Sequence, residues 1–511
     1  MRGTIKDDVG SLVEEVVASE ADVVLATVYL FNRDVVLRAL RRIEALRPEC
    51  EVLLGGPEFL GDNERFLRQE DCVSAVFRGE GEAALPRILL SLADRAQWRN
   101  IPGLCWVGEG DQYRDNGIAQ VDGETWSRLP PPTSSAFFDW SKPFVQLETA
   151  RGCPHRCTFC TSCRSSLRWL GLDRARSVLH EARRRGVREI RVLDRTFNAV
   201  PGTAVDRLRL FLDEFGDLRF HLEIHPAFLT DAIRDTLASA PAGRLHLEVG
   251  LQTTHPGALA ACGRAGTPEV IWEGLRFLCA CRNLDVHVDL LGGLPQLPLD
   301  HLLHDLAEIS RLRPEEIQLE ILKVLPGTPV AQDAAEHGLV YAPDPPYEAL
   351  RTPEMSVSDL RAVAYLSRIV DCYYNHPILQ PAVVAAVEEY PDFYVRFLAF
   401  LQCETDPGVA PGLERRALLL HRYLTALSPD LAGLVEYGWM LAGLSPDKGP
   451  GKARRWRGGI QDNAVSAMGC DSYRDGRGRV WLLERRGVRD WFVFDRSLDL
   501  SRPVAVYQLE K

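Results

Sequence analysis

Short apolar runs alternate with amphipathic segments over the first 126 residues of the chain. The runs at 22–30, 51–54 and 72–77 predict buried strands, and helical periodicity at 12–18, 35–46 and 82–93 predicts helices between them. Short apolar strands separated by helices indicate a parallel sheet that is covered on both faces. The pattern therefore predicts a Rossmann-like α/β domain over residues 1–126.

A proline-rich polar stretch at 129–135 predicts a linker, which we place at residues 127–143. Strand and helix patterns then alternate again, and six βα units in fewer than 200 residues predict a partial (β/α)6 barrel over residues 144–330. The predicted barrel strands are 144–149, 189–193, 220–224, 244–250, 285–290 and 317–322, with helices at 173–185, 205–215, 230–239 and 270–281.

The pattern changes again in the third region, residues 331–511. Helical periodicity at 360–370, 381–390 and 413–426 predicts a mainly helical domain. We separately expect this domain to help shape a substrate site. Alternating positions at 480–483, 490–494 and 504–509 predict a small antiparallel sheet at its end.

Composition restricts the class of protein. The net charge of −11 over 511 residues makes nucleic acid an unfavoured partner, and the basic run at 452–457 is more typical of an exposed loop. No apolar stretch approaches the length of a membrane span, and the charged start is unlike a signal peptide. We therefore expect a cytoplasmic protein without a membrane partner.

Four of the thirteen cysteines lie within eleven residues. Cys153, Cys157 and Cys160 follow the first predicted barrel strand with the spacing C-x3-C-x2-C. Three thiolates can bind three irons of one cubane and leave the fourth iron open, whereas structural zinc usually takes four ligands from two short-spaced pairs. Cys163 could add a ligand, but local packing is the favoured interpretation. The spacing predicts an iron–sulfur site.

This cysteine pattern, with the aromatic Phe159 before the last cysteine, resembles the radical S-adenosylmethionine (SAM) superfamily. The resemblance implies a [4Fe–4S] cluster on Cys153, Cys157 and Cys160, with SAM chelated at the open iron. It also implies reductive cleavage of SAM to a 5′-deoxyadenosyl radical, with electrons from a reductant such as flavodoxin or ferredoxin. An enclosed site would direct the radical to the substrate.

Further segments of the predicted barrel resemble the SAM pocket of that superfamily. Residues 193–198 follow the second predicted strand, and Glu223 lies on the third. Residues 250–253 end the fourth predicted strand, and residues 289–295 follow the fifth. The SAM residues that the resemblance implies are Phe159, Asp194, Asn198, Glu223, Gln252, Thr253 and Gly293. Asp194 or Glu223 could instead cap a helix or join an ion pair, and Gly293 could simply shape a turn.

The first domain resembles the cobalamin-binding domain of one branch of this superfamily, at residues 22–32, 51–58 and 76–82. The cobalamin residues that this resemblance implies are Thr27, Gly55, Gly56, Gly79 and Gly81. The D-x-H-x-x-G motif is absent, as in many members of the branch. From the same resemblance we expect this domain to lack the usual first strand and helix. Segments at 320–328, 345–348 and 373–375 resemble a subfamily with a carboxyl-terminal domain of unknown function.

Taken together, the resemblances imply a cobalamin-dependent radical SAM methyltransferase that acts on an unactivated carbon of a small molecule or peptide. The alternative is a cobalamin-binding radical enzyme that performs a rearrangement, cyclisation or oxidation without methyl transfer. A scaffold that keeps the cluster without turnover is a third possibility. The sequence does not specify the substrate.

Overall fold

The computed structural model describes residues 8–163, 165–405, 410–451, 453–455, 478–485, 488–495, 503 and 505–510. The described residues form two compact units. The first contains the chain up to Asp285 together with Leu291–Pro298 and Ile321–Leu360. The second contains Val286–Leu290, Leu299–Glu320 and the residues from Arg361 onward.

The amino-terminal domain is a five-stranded sheet with helices, in the strand order β1-β2-β3-β4-β5. Its strands are β1 (Val23–Thr27), β2 (Glu51–Gly55), β3 (Ala75–Phe77), β4 (Leu104–Val107) and β5 (Tyr113–Asp115). Its helices are α1 (Val9–Ala18), α2 (Arg33–Leu46), α3 (Glu64–Gln69), α4 (Leu85–Leu90) and α5 (Gly123–Arg128).

The first three strands of this sheet pair in parallel, as predicted. Two strands that the pattern did not predict, β4 and β5, extend this sheet through two antiparallel pairings. The predicted parallel pattern therefore covers only β1 to β3.

The barrel strands form a six-stranded sheet in the order β6-β9-β10-β11-β12-β13. The strands are β6 (Phe144–Leu147), β9 (Glu189–Val192), β10 (Arg219–Ile224), β11 (Leu245–Gln252), β12 (Asp285–Gly292) and β13 (Glu316–Ile321). A short hairpin of β7 (Ala150–Arg151) and β8 (Arg168–Trp169) follows β6. This sheet confirms the predicted partial barrel.

The barrel helices alternate with these strands along the chain. They are α6 (Leu172–Arg184), α7 (Pro201–Arg209), α8 (Asp231–Ala238), α9 (Pro256–Ala261), α10 (Pro268–Ala280) and α11 (Leu299–Leu312). Short elements follow the barrel at α12 (Pro329–Gln332), β14 (Val340–Tyr341) and β15 (Ala349–Arg351).

Alternation along the barrel strands separates an apolar face from a polar one. In β10, Phe220, Leu222 and Ile224 are buried, while His221 and Glu223 between them are partly accessible. The parallel register places His221 beside His246 and Glu223 beside Glu248 on β11. Because alternate residues of a strand share a face, the two histidines and the two glutamates lie on the same side of these strands.

The carboxyl-terminal region is mainly helical, as predicted. Its helices are α13 (Val357–Ile369), α14 (Gln380–Glu389), α15 (Phe393–Glu404), α16 (Leu413–Leu427) and α17 (Pro429–Leu441). After β16 (Arg454–Arg455), strands β17 (Gly478–Arg485), β18 (Val488–Asp495) and β19 (Ala505–Glu510) pair antiparallel, which confirms the small sheet.

Parts of two sequence predictions fall on residues without a structural description. Lys452, Trp456 and Arg457 of the basic run lie outside the described residues, as does Val504 of the last predicted strand. Among the helices that are described, none is both long enough and apolar enough to span a bilayer.

Candidate functional site

The cysteine segment is the loop of the β7–β8 hairpin. Gly152 has a φ of 86°, and a Cβ atom there would lie 2.2 Å from the Ser166 carbonyl oxygen, so only glycine fits without displacing the hairpin. The backbone N–H of Cys153 donates to the Ser165 hydroxyl at 2.9 Å. The loop therefore begins and ends at fixed points.

The three predicted ligands are free thiols on this loop. Cys153 and Cys157 are buried and Cys160 is half-buried. Burial raises the pKa of Cys153 and of Cys160. Among the described residues, no three His, Cys, Asp or Glu side chains converge on a point as ligands of one metal ion would. Ligands of a cubane each bind a different iron, so they need no such convergence.

Polar groups next to the three sulfur atoms fit metal-bound thiolates. The Ser162 N–H donates to Cys160 Sγ at 3.4 Å, and Arg264 Nη1 donates to Cys157 Sγ at 3.4 Å. The Thr196 hydroxyl lies 3.8 Å from Cys153 Sγ. Hydrogen bonds to sulfur are a recurrent means of stabilising and tuning iron–sulfur clusters. The donor set at Cys153, Cys157 and Cys160 therefore fits a cluster.

Asp194 fixes the chain just before the cysteine loop. Its carboxylate is 1% exposed and accepts hydrogen bonds from the N–H groups of Thr149 and Ala150, at 2.7 and 2.8 Å. It also accepts the Thr149 hydroxyl, and Arg207 in turn donates to that hydroxyl at 2.9 Å. These contacts give Asp194 a positioning role, while its predicted contact with SAM stays a prediction.

Asn198 has a similar internal role. Its side-chain amide accepts from the His225 N–H at 2.9 Å and donates to the His225 carbonyl at 2.8 Å. The side chain of His225 is 3% exposed, and burial lowers its pKa to about 2, so the imidazole is neutral. Asn198 therefore holds the segment after β10 in place, and its contact with SAM stays a prediction.

The remaining predicted SAM residues have diverse surroundings. Gln252 ends β11 with a φ of 71°, and the hydroxyl of the buried Thr253 accepts the His255 N–H at 3.0 Å. Gly293 has a φ of 80°, and a Cβ atom there would lie 3.1 Å from Leu360, which favours a turn-shaping role. Phe159 is half-buried in the cysteine loop.

A cavity of about 720 Å³ lies within the first unit, between the carboxyl ends of β1–β3 and the start of the barrel. Glu223 is the one predicted SAM residue on its wall, and the barrel also contributes Gly152, Ser162 and Arg195. All five predicted cobalamin residues border this cavity, namely Thr27, Gly55, Gly56, Gly79 and Gly81. The structure thus brings the predicted cobalamin residues and the edge of the cysteine loop to one space.

Glycines on this wall serve two purposes. Gly56 and Gly79 have φ values of 107° and 100°, and added Cβ atoms would lie 2.4 Å from the Val28 carbonyl and 2.2 Å from the Ala119 carbonyl. At Gly81 and Gly55 the nearest atoms to an added Cβ lie at 3.5 and 3.9 Å, in ordinary contact. The fold requires glycine at the first pair, whereas a Cβ atom would be tolerated at the second pair.

Glu223 has unusual electrostatics for a residue on a cavity wall. Burial raises its pKa to about 7, and the neighbouring carboxylate of Glu248 adds to this effect while Arg195 opposes it. A carboxyl group with this pKa changes protonation near neutral pH. It can therefore donate or accept a hydrogen bond towards the cavity.

Two arginines of the β7–β8 hairpin were not found by the sequence reasoning. Arg168 forms a bidentate pair with Glu80, at 2.6 and 2.8 Å, and Arg151 pairs with Glu82 and with Glu148, each at 2.7 Å. Glu80 and Glu82 flank Gly81 in the sequence. The pairs hold the glycine loop of the first domain against the hairpin that carries the cysteines.

The fold and the site define a radical SAM barrel preceded by a cobalamin-type domain, and comparison with known families agrees. Residues 147–309 match the radical SAM superfamily, residues 5–89 match the B12 binding domain, and residues 335–409 match a family of unknown function, DUF4080. The chain thus contains a radical SAM domain and a B12-binding domain. Its cofactors are a [4Fe–4S] cluster, SAM and cobalamin.

Similar proteins include two curated methyltransferases. An uncharacterized methyltransferase of Pyrococcus horikoshii is 22% identical over 57% of this chain and 64% of its own length. The cobalamin-dependent radical SAM methyltransferase TokK of Streptomyces tokunonensis is 22% identical over 86% of this chain and 69% of its own length. The chain thus spans about two thirds of the length of each.

A solved structure shares the fold. The cobalamin-dependent S-adenosylmethionine radical enzyme OxsB, with aqua-cobalamin and SAM bound, aligns with a TM-score of 0.59 and 15% identity. The alignment covers 85% of this chain and 72% of that one.

Proposed function

We propose that this protein transfers a methyl group to an unactivated carbon of a small molecule or peptide. The observation that carries the proposal is the shared cavity, where Gly55 and Gly81 of the first domain face the same space as Gly152 and Ser162 of the cysteine loop. The similarity to two proteins named as methyltransferases supports the same reaction.

When bound, the cluster and SAM supply a radical that abstracts hydrogen, and cobalamin supplies the methyl group. Cys153, Cys157 and Cys160 would hold the cluster, and Gly55 and Gly81 lie on the cavity wall that would face cobalamin. Apolar residues of the first domain, including Leu53, form another part of the cavity wall. Such a wall limits access of water to a reactive centre.

The ion pairs Arg168–Glu80 and Arg151–Glu82 give this cavity a fixed geometry within the first unit. Radical transfer between groups depends on their separation and orientation, so a rigid connection favours reaction over side reactions. We assign these four side chains a positioning role. Electrons would come from a one-electron donor such as flavodoxin or ferredoxin.

The proposal can be tested without knowing the substrate. The full chain, reconstituted anaerobically with iron, sulfide and cobalamin, would be reduced and incubated with SAM that carries a labelled methyl group. We expect label to move from SAM to cobalamin, with formation of S-adenosylhomocysteine, and we expect 5′-deoxyadenosine from a second reaction. The Cys153→Ala variant serves as the control, and it should form no 5′-deoxyadenosine.

The same assay separates the alternatives. Formation of 5′-deoxyadenosine without any transfer of label to cobalamin would contradict methyl transfer and favour a rearrangement, cyclisation or oxidation. Absence of both products from protein loaded with all three cofactors would favour a scaffold without turnover.

A further inference from the structure

The turn after α9, at Cys262 and Gly263, contacts the cysteine loop although it lies outside the β7–β8 hairpin. The carbonyl of Cys262 accepts a hydrogen bond from the Thr158 N–H at 2.8 Å. Gly263 has a φ of 60°, and a Cβ atom there would lie 2.7 Å from the Arg156 carbonyl oxygen. The turn is therefore in close contact with the loop on both sides of Cys157.

Arg264 extends this contact to a predicted cluster ligand. Its Nη1 atom donates to Cys157 Sγ at 3.4 Å, across 107 residues of sequence. Its Nη2 atom donates to the Gly250 carbonyl at the end of β11. The guanidinium group therefore joins Cys157 to β11, whose last residue, Gln252, and next residue, Thr253, are predicted to contact SAM.

The chemistry of this contact concerns the charge of the cluster. Arginine keeps its positive charge at all physiological pH values and presents several donors in a fixed plane. Hydrogen bonds to a cluster sulfur and nearby positive charge stabilise the reduced, more negative state of an iron–sulfur cluster. An arginine that donates to a ligand thiolate should therefore raise the reduction potential of the cluster.

We propose that Arg264 is a positioning residue that raises the reduction potential of the cluster through its hydrogen bond to Cys157 and orients that ligand relative to the end of β11. The inference deepens the proposed function, since it requires Cys157 to bind the cluster. It assigns the residue no contact with substrate. Its effect is on the electron-accepting step that precedes cleavage of SAM.

The test is a redox titration of the full-length protein, reconstituted anaerobically and followed by the EPR signal of the reduced cluster in the absence of SAM. Arg264→Met removes both the donor and the charge, and we expect a more negative midpoint potential than in the wild type. Arg264→Lys keeps a charge but cannot make both contacts, so its potential should lie between the two. Arg276→Met, at an exposed position of α10, is the matched control and should match the wild type.

The iron and sulfide content of each protein must be measured beside its potential, because it shows whether the cluster has assembled. An unchanged potential in a fully loaded Arg264→Met variant would overturn the inference and leave the proposed function intact. Should Arg264→Met fail to hold iron, Arg264→Gln, which removes the charge but stays polar, takes its place in the titration. An unchanged midpoint potential in fully loaded Arg264→Gln would then overturn the inference. Failure of the wild type itself to assemble a cluster would instead contradict the proposed function.

Discussion

The carboxylate of Asp194 holds Thr149 through both its backbone N–H and its hydroxyl, although the two residues are 45 positions apart. Asp194→Ala would leave the buried N–H groups of Thr149 and Ala150 without acceptors. Each unsatisfied buried donor costs about 1–3 kcal/mol, so we expect a loss of about 3 kcal/mol in the free energy of unfolding. Denaturant titration of the apoprotein would measure it.

The exposed Asp213→Ala is the control for this substitution, and it should change stability little. Equal stability of the two variants would contradict the positioning role. A stable Asp194→Ala protein that binds a cluster but not SAM would instead support the contact predicted from the sequence.

The raised pKa of Glu223 predicts a specific dependence of stability on pH. Because its folded pKa of about 7 lies above the ordinary value of 4.5, the folded state binds this proton more tightly than the unfolded state. The resulting stabilisation is complete below about pH 4.5 and is lost as the pH rises through about 7. Glu223→Gln cannot ionise, so we expect it to become more stable than the wild type above pH 7, by about 3 kcal/mol at most.

Thermal denaturation of the apoprotein between pH 4.5 and 8.5 would check this prediction. Exposed Glu14→Gln is the control, and its stability should follow the wild-type curve. A Glu223→Gln curve that stays parallel to the wild type over the whole range would show that Glu223 is not held as an acid in the fold.

The two kinds of glycine at the cavity should respond differently to substitution. Gly79→Ala places a Cβ atom 2.2 Å from the Ala119 carbonyl at a φ of 100°, so we expect it to cost at least about 2 kcal/mol. Gly81→Ala meets only Phe77 at 3.5 Å and should fold as the wild type does. Thermal denaturation of both variants compares them.

A larger side chain at the permissive position tests the cavity itself. Gly81→Leu should keep its secondary structure by circular dichroism but retain less cobalamin after gel filtration, measured by absorbance. Wild-type cobalamin content in a folded Gly81→Leu protein would contradict the placement of cobalamin at this wall.

Local patterns in the sequence were sufficient to predict the strands of the barrel. Each end of the six predicted barrel strands lies within two residues of the corresponding end of an observed strand. The agreement is close because apolar alternation and helix periodicity are local properties of the sequence. The cysteine spacing is also local, and so is the glycine pair Gly55-Gly56. Strand β5, by contrast, reads Tyr113-Arg114-Asp115 and has no apolar alternation that could predict it.

The site contacts depend on tertiary structure, which explains why they were missed. Arg264 meets Cys157 across 107 residues, and the Tyr347 hydroxyl donates to the buried Glu58 carboxylate across 289. Hydrophobic periodicity along the sequence does not predict contacts between residues so far apart in the chain. For the same reason the sequence could rank Asp194 as a SAM ligand or an ion-pair member without revealing its bonds to Thr149.

The most direct test of the central claim is the EPR spectrum of the reduced, anaerobically reconstituted protein before and after addition of SAM. We predict a [4Fe–4S] signal that changes with SAM in the wild type and in Cys163→Ala, and no such signal in Cys153→Ala, Cys157→Ala or Cys160→Ala. Zinc in place of iron, or an iron–sulfur signal that does not respond to SAM, would contradict the account.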